Sequence, residues 1–492
     1  MKIPLGAAIS ASGARVLASD ALPSAARFST DSRTLVAGDF YVALRGASFD
    51  GHAFVREALA CGASGIVVDD ERAIPDGVAA LVVSDTTAAY LAFAGVARSQ
   101  LHARVVAITG SAGKTTTKHV LAGVLERVQS GHVVATHANE NNEIGVAKLF
   151  LGAPEETAYV VVEFGARHFG EIAPLARAAR PDIAVLTNIG DAHLEIFGSR
   201  ERLRETKYGI FATGAHAVLP ALPSERGFAV GDAMHADVAA ASHDVREGRP
   251  RFYFFSGAVD DARIANAVHP SETTVVLEGR DRLVIHADGR DDTGAIGRGF
   301  ETHVTVEGTH NLRNVAAAAA AAVALGIEPA KIAAALREAD LPAGRYERIT
   351  LGELAIVYDA YNASMAGTLA TLASFEAESA ARRIVVFGSM AELGADAPAM
   401  HARVGGSIRA DRIAYLLVGG EFASDLERGA RAAGFSGDRI VAFGSNAEAV
   451  TWLDTNVRDG DCVLLKASRR YKFEEIVDGL RASHANDKKR HV

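Results

Sequence analysis

Two patterns of apolar residues alternate along most of the chain. In one, β-branched and other apolar residues form short continuous runs, and in the other they recur every three or four positions. The first pattern predicts buried strands, and the second predicts helices packed on one face. Strands that are apolar throughout are typical of parallel sheets covered by helices on both faces. The pattern therefore predicts an α/β protein.

The first hundred residues predict a small α/β unit. Its predicted strands are 40–44, 65–68 and 80–83, and its predicted helices are 53–60 and 88–99. Polar clusters interrupt these elements at 29–33 and 45–52. Clusters of this composition are usually only turns, so the local pattern favours a turn over a ligand site.

The clearest local signal is a strand, a glycine loop and a helix in succession. An apolar run ends at Gly110, and a helical pattern begins near Lys114. Glycines let backbone N–H groups approach phosphate oxygens, the lysine reaches the outer phosphates, and Thr115 can ligate Mg²⁺. Only two residues separate Gly110 from Gly113, where the common phosphate loop has four, so the match is to a shorter motif. The simpler alternative is a glycine turn with an incidental lysine.

Polar residues follow the next two predicted strands, 159–164 and 182–188. Parallel sheets place ligands at the carboxyl ends of their strands. Glu163 and the segment 187–193, which ends in His193, lie at those ends. They could complete a Mg²⁺ shell or position a phosphate, although solvated loop residues are an equally good explanation of each one taken alone.

The later part of the chain predicts a β-rich excursion and then a second α/β sheet. The excursion covers about 226–306, with predicted strands at 251–256, 273–277, 282–286 and 303–306. The third unit has predicted strands at 354–358, 383–388, 413–418, 440–443 and 462–466. Between the two, an alanine-rich run at 315–325 predicts a buried, closely packed helix that is too short to span a bilayer.

Composition limits the possible functions. The 492 residues are 49% hydrophobic and carry a net charge of −9, which predicts about three globular domains with no general attraction to nucleic acid. Cys61 and Cys462 are far apart and in no metal-ligand spacing, so we expect two core thiols in a reducing cytoplasm. We expect neither a membrane segment nor a nucleic-acid partner, and we expect a monomer.

The motifs, taken together and in order, resemble those of the Mur ligases, the ATP-dependent amide-forming enzymes of peptidoglycan synthesis. The short phosphate loop is that family's own form. The matching segments are 30–33, 38–44, 50–52, 110–116, 139–145, 170–172, 187–193, 308–314 and 390–394. The resemblance implies a UDP-precursor-binding domain at 1–102, a central ATP-binding domain with a parallel sheet at 103–340, and a Rossmann-like domain at 341–492. It is closest to the branch that joins D-alanyl-D-alanine to UDP-MurNAc-tripeptide through an acyl phosphate, releasing ADP and phosphate.

The resemblance also implies roles for individual residues. Two Mg²⁺ ions would be held by Thr115, Glu163, His193 and a carbamylated Lys207, and these residues with Lys114 would form the catalytic site. The residues expected to bind ATP are Gly110, Ser111, Ala112, Gly113, Lys114, Thr115, Thr116, His310, Asn311, Asn314, Arg345 and Asp359. The residues expected to bind the muramoyl peptide and the amine are Thr30, Ser32, Arg33, Asn142, Tyr361 and Asn362.

The third domain departs from the family pattern. Where the family has Asp-Asp-Ser-Tyr-Asn-Ala-Asn-Pro, this chain has a segment that begins at Tyr358 and ends at Met365. Ser389 and Ala467 replace an expected Asp and Gly. These changes leave two alternatives open. One is a ligase on the same scaffold with a different amine or acceptor, MurE-like or specialised, and the other is an ATP-binding protein that does not ligate.

Overall fold

The computed structural model describes residues 1–17, 22–46, 49–128, 132–189, 197–220, 252–256, 273–278, 282–286, 300–304, 306–391 and 393–490. The strands in these residues are β1 (Ile3–Pro4), β2 (Arg15–Leu17), β3 (Ala25–Ala26), β4 (Phe28–Ser29), β5 (Phe40–Val42), β6 (Arg45–Gly46), β7 (Phe49–Asp50), β8 (Gly65–Val68), β9 (Ala80–Val82), β10 (Arg104–Thr109), β11 (Val133–Ala135), β12 (Tyr159–Glu163), β13 (Ile183–Leu186), β14 (His216–Pro220), β15 (Phe252–Ser256), β16 (Thr273–Glu278), β17 (Arg282–His286), β18 (Phe300–His303), β19 (Glu347–Leu351), β20 (Leu354–Asp359), β21 (Arg383–Phe387), β22 (Tyr415–Gly419), β23 (Ile440–Phe443) and β24 (Cys462–Lys466).

Helices cover these strands. They are α1 (Leu5–Ser12), α2 (Val55–Ala60), α3 (Thr86–Gln100), α4 (Lys114–Val128), α5 (Glu143–Gly152), α6 (Ile172–Ala179), α7 (Arg200–Tyr208), α8 (Thr309–Ala324), α9 (Pro329–Leu336), α10 (Met365–Glu376), α11 (Ala397–Ser407), α12 (Ala423–Ala432), α13 (Asn446–Asn456) and α14 (Glu474–Arg490). Short 3-10 helices occur at Gly51–Phe54, Glu71–Ala73, Gly209–Phe211, Gly394–Asp396, Gly437–Arg439 and Arg469–Tyr471. None of the described helices combines the length and the apolar composition needed to span a bilayer.

Three large sheets organise the described residues, which confirms the predicted α/β class. The first has the strand order β2-β9-β8-β5-β4, and the third has the order β19-β20-β24-β21-β22-β23. Each is parallel except for one antiparallel edge strand, β2 in the first and β19 in the third. The bounds near 102 and 340 that separate the domains stay a prediction.

The central sheet has the order β11-β12-β10-β13-β14-β15-β16-β17-β18. It is parallel from β11 to β16, and β17 and β18 then add antiparallel pairs. The β-rich excursion is therefore an extension of this sheet. The strand predicted at 303–306 is wrong, because the observed strand is Phe300–His303, where Thr302 is buried and donates a hydrogen bond to the carbonyl oxygen of Ala333 at 2.9 Å.

The alanine-rich helix α8 packs against the central sheet. Val315 and all seven alanines of 316–322 are completely buried. The helix contacts α4 and strands β14, β15 and β16, and its small side chains allow a close approach to them. This confirms the predicted buried, closely packed helix.

The two cysteines differ from each other. Cys462 is buried in β24, and burial raises the pKa of its thiol to about 11. Cys61 is exposed, so its prediction as a core residue is wrong. It lies at the residue that ends α2, where the chain turns at the surface, and sequence spacing gives no signal for that position.

Replacing Ala319 by Leu should destabilise the fold, because its site in α8 has no exposed surface and overpacking a close-packed core costs about 1–3 kcal/mol. The matched control is Ala334→Leu, at an exposed position of α9, which should change stability by less than about 0.5 kcal/mol. Thermal unfolding followed by circular dichroism measures both. Equal midpoints for the two variants would contradict the close packing of α8.

Candidate functional site

The glycine loop connects β10 to α4 and leaves no room for side chains at its two ends. Gly113 has a φ of +82°, and a Cβ added there would lie 2.1 Å from Asn314 Oδ1. A Cβ at Gly110 would lie 1.9 Å from Thr187 Oγ1. Both glycines are therefore required by close contacts with other elements.

The residues after β13 hold this loop in place. Asn188 accepts hydrogen bonds from Ser111 N at its carbonyl oxygen and from Ala112 N at Oδ1, each at 3.0 Å. Thr187 Oγ1 donates to the carbonyl oxygen of Ala112 at 2.6 Å. These contacts join the end of β13 to the loop after β10, its neighbour in the central sheet. His193, expected to bind a metal, lies outside the described residues.

Lys114 begins α4, and its Nζ donates to the carbonyl oxygen of Gly110 at 2.8 Å. Burial lowers the pKa of this ammonium, and Glu163 partly opposes that effect. Thr115 is half-buried at the next position, whereas Thr116 is buried, as is Ser111 within the loop. Lys114 is thus held against the loop backbone, where a phosphate would lie.

Glu163 ends β12 and is almost completely buried. Its Oε1 accepts a hydrogen bond from Asn141 Nδ2 at 2.8 Å, but its Oε2 is buried and has no hydrogen-bond partner among the described residues. A buried carboxylate oxygen left in this state is costly unless a cation or a donor reaches it. Glu163 and the hydroxyl of Thr115 are the hard oxygen ligands that Mg²⁺ prefers, so these residues fit such an ion. Within the described part of the chain, His, Cys, Asp and Glu form no group of three or more that could hold a metal.

Lys118 is the nearest cation to that oxygen, with Nζ 3.6 Å from Glu163 Oε2. Its Nζ also donates to the carbonyl oxygens of Thr136 at 2.7 Å and Ala138 at 3.1 Å. Burial lowers the pKa of Lys118, and Glu163 opposes the change. These carbonyl groups fix the Lys118 ammonium 3.6 Å from Glu163 Oε2, which is longer than a hydrogen bond.

Lys207 lies near the end of α7 and is buried. Burial, and secondly the charge of Lys114, lower its pKa to about 7, while Glu163 and Glu171 act in the opposite direction. A large fraction of this amine is therefore neutral at physiological pH. The charges of Lys114 and Glu163 act on Lys207, and its role as a metal ligand stays a prediction.

The N-terminus of α8 links the loop to the third sheet. Asn314 lies against Gly113, and its Nδ2 donates to Asn311 Oδ1 at 3.4 Å. Asn311 Nδ2 donates to the carbonyl oxygens of Glu307 at 3.1 Å and Arg345 at 3.4 Å. Burial lowers the pKa of His310 to about 4, so its ring is neutral at physiological pH.

The third sheet contributes Asp359 and Lys466 at the carboxyl ends of adjacent strands. Lys466 Nζ lies 2.8 Å from Asp359 Oδ2 and 2.9 Å from the carbonyl oxygen of Asn362. Thr371 Oγ1 donates to the same Asp359 oxygen. Burial opposes ionisation of Asp359, but Lys466, His310 and the hydrogen bonds outweigh it and lower the pKa of the carboxyl. Asp359 is therefore a fixed anion.

Arg345 carries a further positive charge between the two sheets. Its guanidinium carbon lies 4.7 Å from the centre of the Tyr361 ring, and its Nε is buried without a hydrogen-bond partner in the described residues. Arg345 lowers the pKa values of Lys114, Lys118 and Lys466 in addition to the effect of burial. Cationic side chains therefore outnumber the carboxylates in this region even without Lys207, which suits a polyphosphate; the cationic side chains are Lys114, Lys118, Arg345 and Lys466, and the carboxylates are Glu163 and Asp359.

The residues of the first unit that are predicted to bind substrate make contacts with neighbouring residues of the protein. Ser32 Oγ donates to Glu57 Oε1 at 2.7 Å, and Arg33 pairs with Asp31 at 2.7 Å. Thr30 hydrogen-bonds to Tyr90. The first two contacts lie just after β4, at the carboxyl end of a strand of the first sheet. Their substrate roles stay predictions.

Asn142 and Asn362 also have local structural partners. Asn142 Oδ1 caps α5 by accepting from Gly145 N at 3.0 Å, and Asn362 Oδ1 accepts from Ala363 N at 2.8 Å. The ring of Tyr361 lies under Arg345. Of Asn142, Tyr361 and Asn362, only Tyr361 contacts a cationic side chain, that of Arg345, with its own side chain.

Neighbouring residues accommodate most of the positions at which the third unit departs from the family pattern. Tyr358 donates its hydroxyl to Glu474 Oε2 at 3.2 Å, and Ser364 caps α10 by accepting from Gly367 N at 3.3 Å. Ser389 Oγ accepts from Phe422 N at 2.9 Å. Ala467 is buried against Gly388, where a Cβ would lie 2.8 Å from the Ala467 Cβ. Each replacement is thus accommodated by a neighbour within this unit.

Sequence reasoning missed Lys118 and Asn141 as neighbours of Glu163. Lys118 lies one helical turn after Lys114, so it falls on the same face of α4, and this spacing was an available signal. Asn141 lies in the segment 139–145 that matches the family, but its contact with Glu163 depends on how the loop after β11 folds back on β12.

Comparison with known families covers most of the chain. The Mur ligase family catalytic domain matches residues 27–109, the Mur ligase middle domain matches 108–238, and the Mur ligase glutamate ligase domain matches 344–469. The UDP-N-acetylmuramoyl-tripeptide–D-alanyl-D-alanine ligase of Synechocystis sp. is 33% identical over 92% of each chain. The enzyme of the same name from Escherichia coli is 32% identical, also over 92% of each chain.

Solved structures give the same result. A crystal structure of MurF from Acinetobacter baumannii superposes with a TM-score of 0.76 at 25% identity, covering 98% of this chain and 99% of that one. MurF ligase from Thermotoga maritima in complex with ADP superposes with a TM-score of 0.74 at 26% identity, covering 94% of this chain and 98% of that one. The similarity therefore extends over all three sheets.

Replacing Gly113 by Ala should weaken nucleotide binding about tenfold or more, since the new Cβ would displace Asn314 and the left-handed backbone would be strained by about 1–3 kcal/mol. Gly77→Ala is the matched control, with a φ of +74° and no atom within 4 Å of its Cβ. Isothermal calorimetry with ADP measures both variants. Wild-type affinity in Gly113→Ala would contradict the close approach at the loop.

Proposed function

The chain belongs to the Mur ligase family, and from that premise we propose that it joins D-alanyl-D-alanine to UDP-MurNAc-tripeptide in peptidoglycan synthesis, with hydrolysis of ATP to ADP and phosphate. The structural observation that carries the proposal is the group of lysines around the glycine loop and Glu163, between the central and third sheets. The names of relatives that match over 92% of the chain support the choice of substrates.

The reaction has two steps. A carboxylate oxygen of the tripeptide attacks the γ-phosphorus of ATP and ADP leaves, which forms an acyl phosphate. The amine of the dipeptide then attacks the acyl carbon, and phosphate leaves with its bonding electrons. Enzymes accelerate such phosphoryl transfers mainly by positioning and by stabilising negative charge. Lys114, the loop amides and Arg345 are placed to supply that charge stabilisation.

Two Mg²⁺ ions are part of the proposal. Thr115 and Glu163 would hold them, together with His193 and Lys207 after carbamylation. Held by these residues, Mg²⁺ would supply positive charge that offsets the negative charge of the phosphates. Oε2 of Glu163 supports this role, because it is buried and has no hydrogen-bond partner among the described residues, with Lys118 Nζ 3.6 Å away. An ADP complex of a relative supports the use of ATP.

Closure of the site between the central and third sheets would protect the intermediate from water. Asn314 of α8 lies against the loop, while Asn311 of the same helix reaches Arg345 ahead of the third sheet. Closure of the third unit over the loop would bring the amine to the acyl phosphate and exclude water that hydrolyses it. A cytoplasmic location, where UDP-linked precursors and ATP would be available, and a monomeric state belong to the same proposal.

The amine is tested by offering D-Ala-D-Ala, D-Ala and a diamino acid in turn with UDP-MurNAc-tripeptide and ATP, and by measuring ADP release and product mass. We expect D-Ala-D-Ala to be the preferred amine, because the changes at Tyr358 and Ser364 are accommodated by partners within the third unit. The loss of one acidic group near a bound ammonium should appear as a raised KM, equivalent to about 1–3 kcal/mol.

The other outcomes of this panel identify the alternatives. Product with another amine and none with D-Ala-D-Ala would keep the family and contradict the substrate. ADP release that no amine stimulates, in a protein that binds ATP, would indicate an ATP-binding protein that does not ligate.

Lys207 should carry a carbamate, because a buried amine with a pKa near 7 is neutral enough to attack CO₂ while an ammonium beside Mg²⁺ would repel it. With ¹³C-bicarbonate, the NMR carbamate signal should be present at pH 8 and decline as the pH falls through about 7, since protonation removes the nucleophile. Lys207→Ala should lose the signal and the activity, and a small added carboxylate should restore part of the activity.

Lys331→Ala is the matched control for that experiment, because Lys331 is an exposed lysine of α9. It should keep both the signal and the activity. A Lys207→Ala variant that keeps full activity without added carboxylate would remove this role from Lys207.

A further inference from the structure

The residue that follows Arg345 has a backbone conformation that large side chains rarely adopt. Tyr346 has a φ of +60°, in the left-handed region, yet only 1% of the residue is exposed. This conformation is unfavourable for a residue with a Cβ, because the Cβ approaches the following carbonyl oxygen. Strained residues of this kind persist where the surrounding structure over-determines them, and they cluster at functional sites.

The ring of Tyr346 is held between α8 and the segment that follows α10. It meets the ring of His310, in the first turn of α8, edge to face, with centroids 5.5 Å apart and planes at 75°. Its hydroxyl donates to Glu378 Oε1 at 3.0 Å. A Cβ at Gly308 would lie 3.3 Å from Tyr346 Cδ1, so Gly308 leaves just enough space for the ring.

Two further contacts fix the surfaces on either side of the ring. His310 Nδ1 lies 3.3 Å from Ser374 Oγ of α10, which ties the start of α8 to the third unit. Glu378 Oε2 accepts from Arg348 Nη1 at 2.9 Å, which holds the carboxylate that receives the tyrosine hydroxyl. The side chain of Tyr346 is therefore packed between α8 and the segment after α10, with contacts on both sides, and this packed side chain is called the wedge below.

Arg345 is the residue whose position this wedge sets. Its carbonyl oxygen accepts from Asn311 Nδ2 at 3.4 Å, and its guanidinium lies over Tyr361. Its buried Nε has no hydrogen-bond partner in the described part of the chain, although its charge acts on the lysines around the loop. A buried cationic donor without a partner is placed to meet an anion.

We propose that Tyr346 is a positioning residue that keeps Arg345 within reach of the nucleotide phosphates by wedging the connection between α8 and the third sheet. The nature of the anion rests on the proposed function, and the wedge itself rests on the geometry of Gly308, His310 and Glu378. The left-handed backbone at Tyr346 directs the ring into the core while Arg345, one residue earlier, remains at the site.

A double-mutant cycle of Tyr346→Leu and Arg345→Gln tests this proposal. The measurement is the Kd of a non-hydrolysable ATP analogue with Mg²⁺, by calorimetry. If Tyr346 acts through Arg345, each single variant should weaken binding about tenfold and the double variant should also weaken it about tenfold. A hundredfold loss in the double variant would show independent effects and overturn the proposal, as would wild-type affinity in Tyr346→Leu.

Two controls separate positioning from general loss of packing. Tyr346→Phe keeps the ring between Gly308 and His310 and should restore affinity to within about threefold of wild type. Phe375→Leu removes a fully buried ring from α10 in the same hydrophobic core and should leave affinity unchanged. An equal loss in Phe375→Leu would show that any core substitution weakens binding, and this would overturn the proposal.

If Tyr346→Leu does not fold, Gly308→Ala takes its place in the cycle. The added Cβ at residue 308 would press on the rings of Tyr346 and His310. The same non-additivity is expected, and additive losses would overturn the proposal. A wild-type protein that binds the analogue but makes no product with D-Ala-D-Ala would contradict the proposed function. The double-mutant cycle could still be measured and interpreted in that case. A wild-type protein that does not bind the analogue would overturn both.

Discussion

The concentration of buried positive charge around Glu163 is the constraint on which the rest of the site depends. Burial favours the neutral form of an amine, and it lowers the pKa values of Lys114, Lys118 and Lys207. The protein limits this cost with backbone carbonyl groups, which accept hydrogen bonds from Lys114 and Lys118. The remaining imbalance favours a multiply charged anion, which is what ATP and an acyl phosphate provide.

Helix α8 contacts both the glycine loop of the central sheet and the third unit. Its alanines allow the helix to lie close to the sheet, which brings Asn314 against Gly113 of the loop. Its first turn carries His310 and Asn311, which contact Ser374 and the backbone of Arg345. A single helix therefore connects the glycine loop to the third unit.

The departures from the family pattern in the third sheet follow one rule. Where a family residue is missing, the replacement makes a contact inside the same unit, as Tyr358 does with Glu474 and Ser389 with the backbone of Phe422. The buried pair of Asp359 and Lys466 is retained, and breaking such a pair would leave an uncompensated buried charge. The changes therefore leave the buried pair of Asp359 and Lys466 in place.

The sequence by itself determined the elements whose signals are local. The apolar runs of β10 and β12, the short glycine loop and the alanine-rich helix were predictable because burial on both faces, phosphate binding and close packing each leave a pattern within a few residues. The approximate bounds of most strands followed for the same reason. The joint order of several motifs was enough to indicate the family.

Only the tertiary structure decided which side chains meet across long sequence separations. The packing of Tyr346, the exposure of Cys61 and the position of β18 had no local signal. The motif that contains Asn141 did not show that this residue contacts Glu163. Each depends on a partner from a different element, such as Glu378 for Tyr346 or β17 and Ala333 for β18. A pattern of apolar and polar residues records whether a position is buried, but it does not record which neighbour buries it.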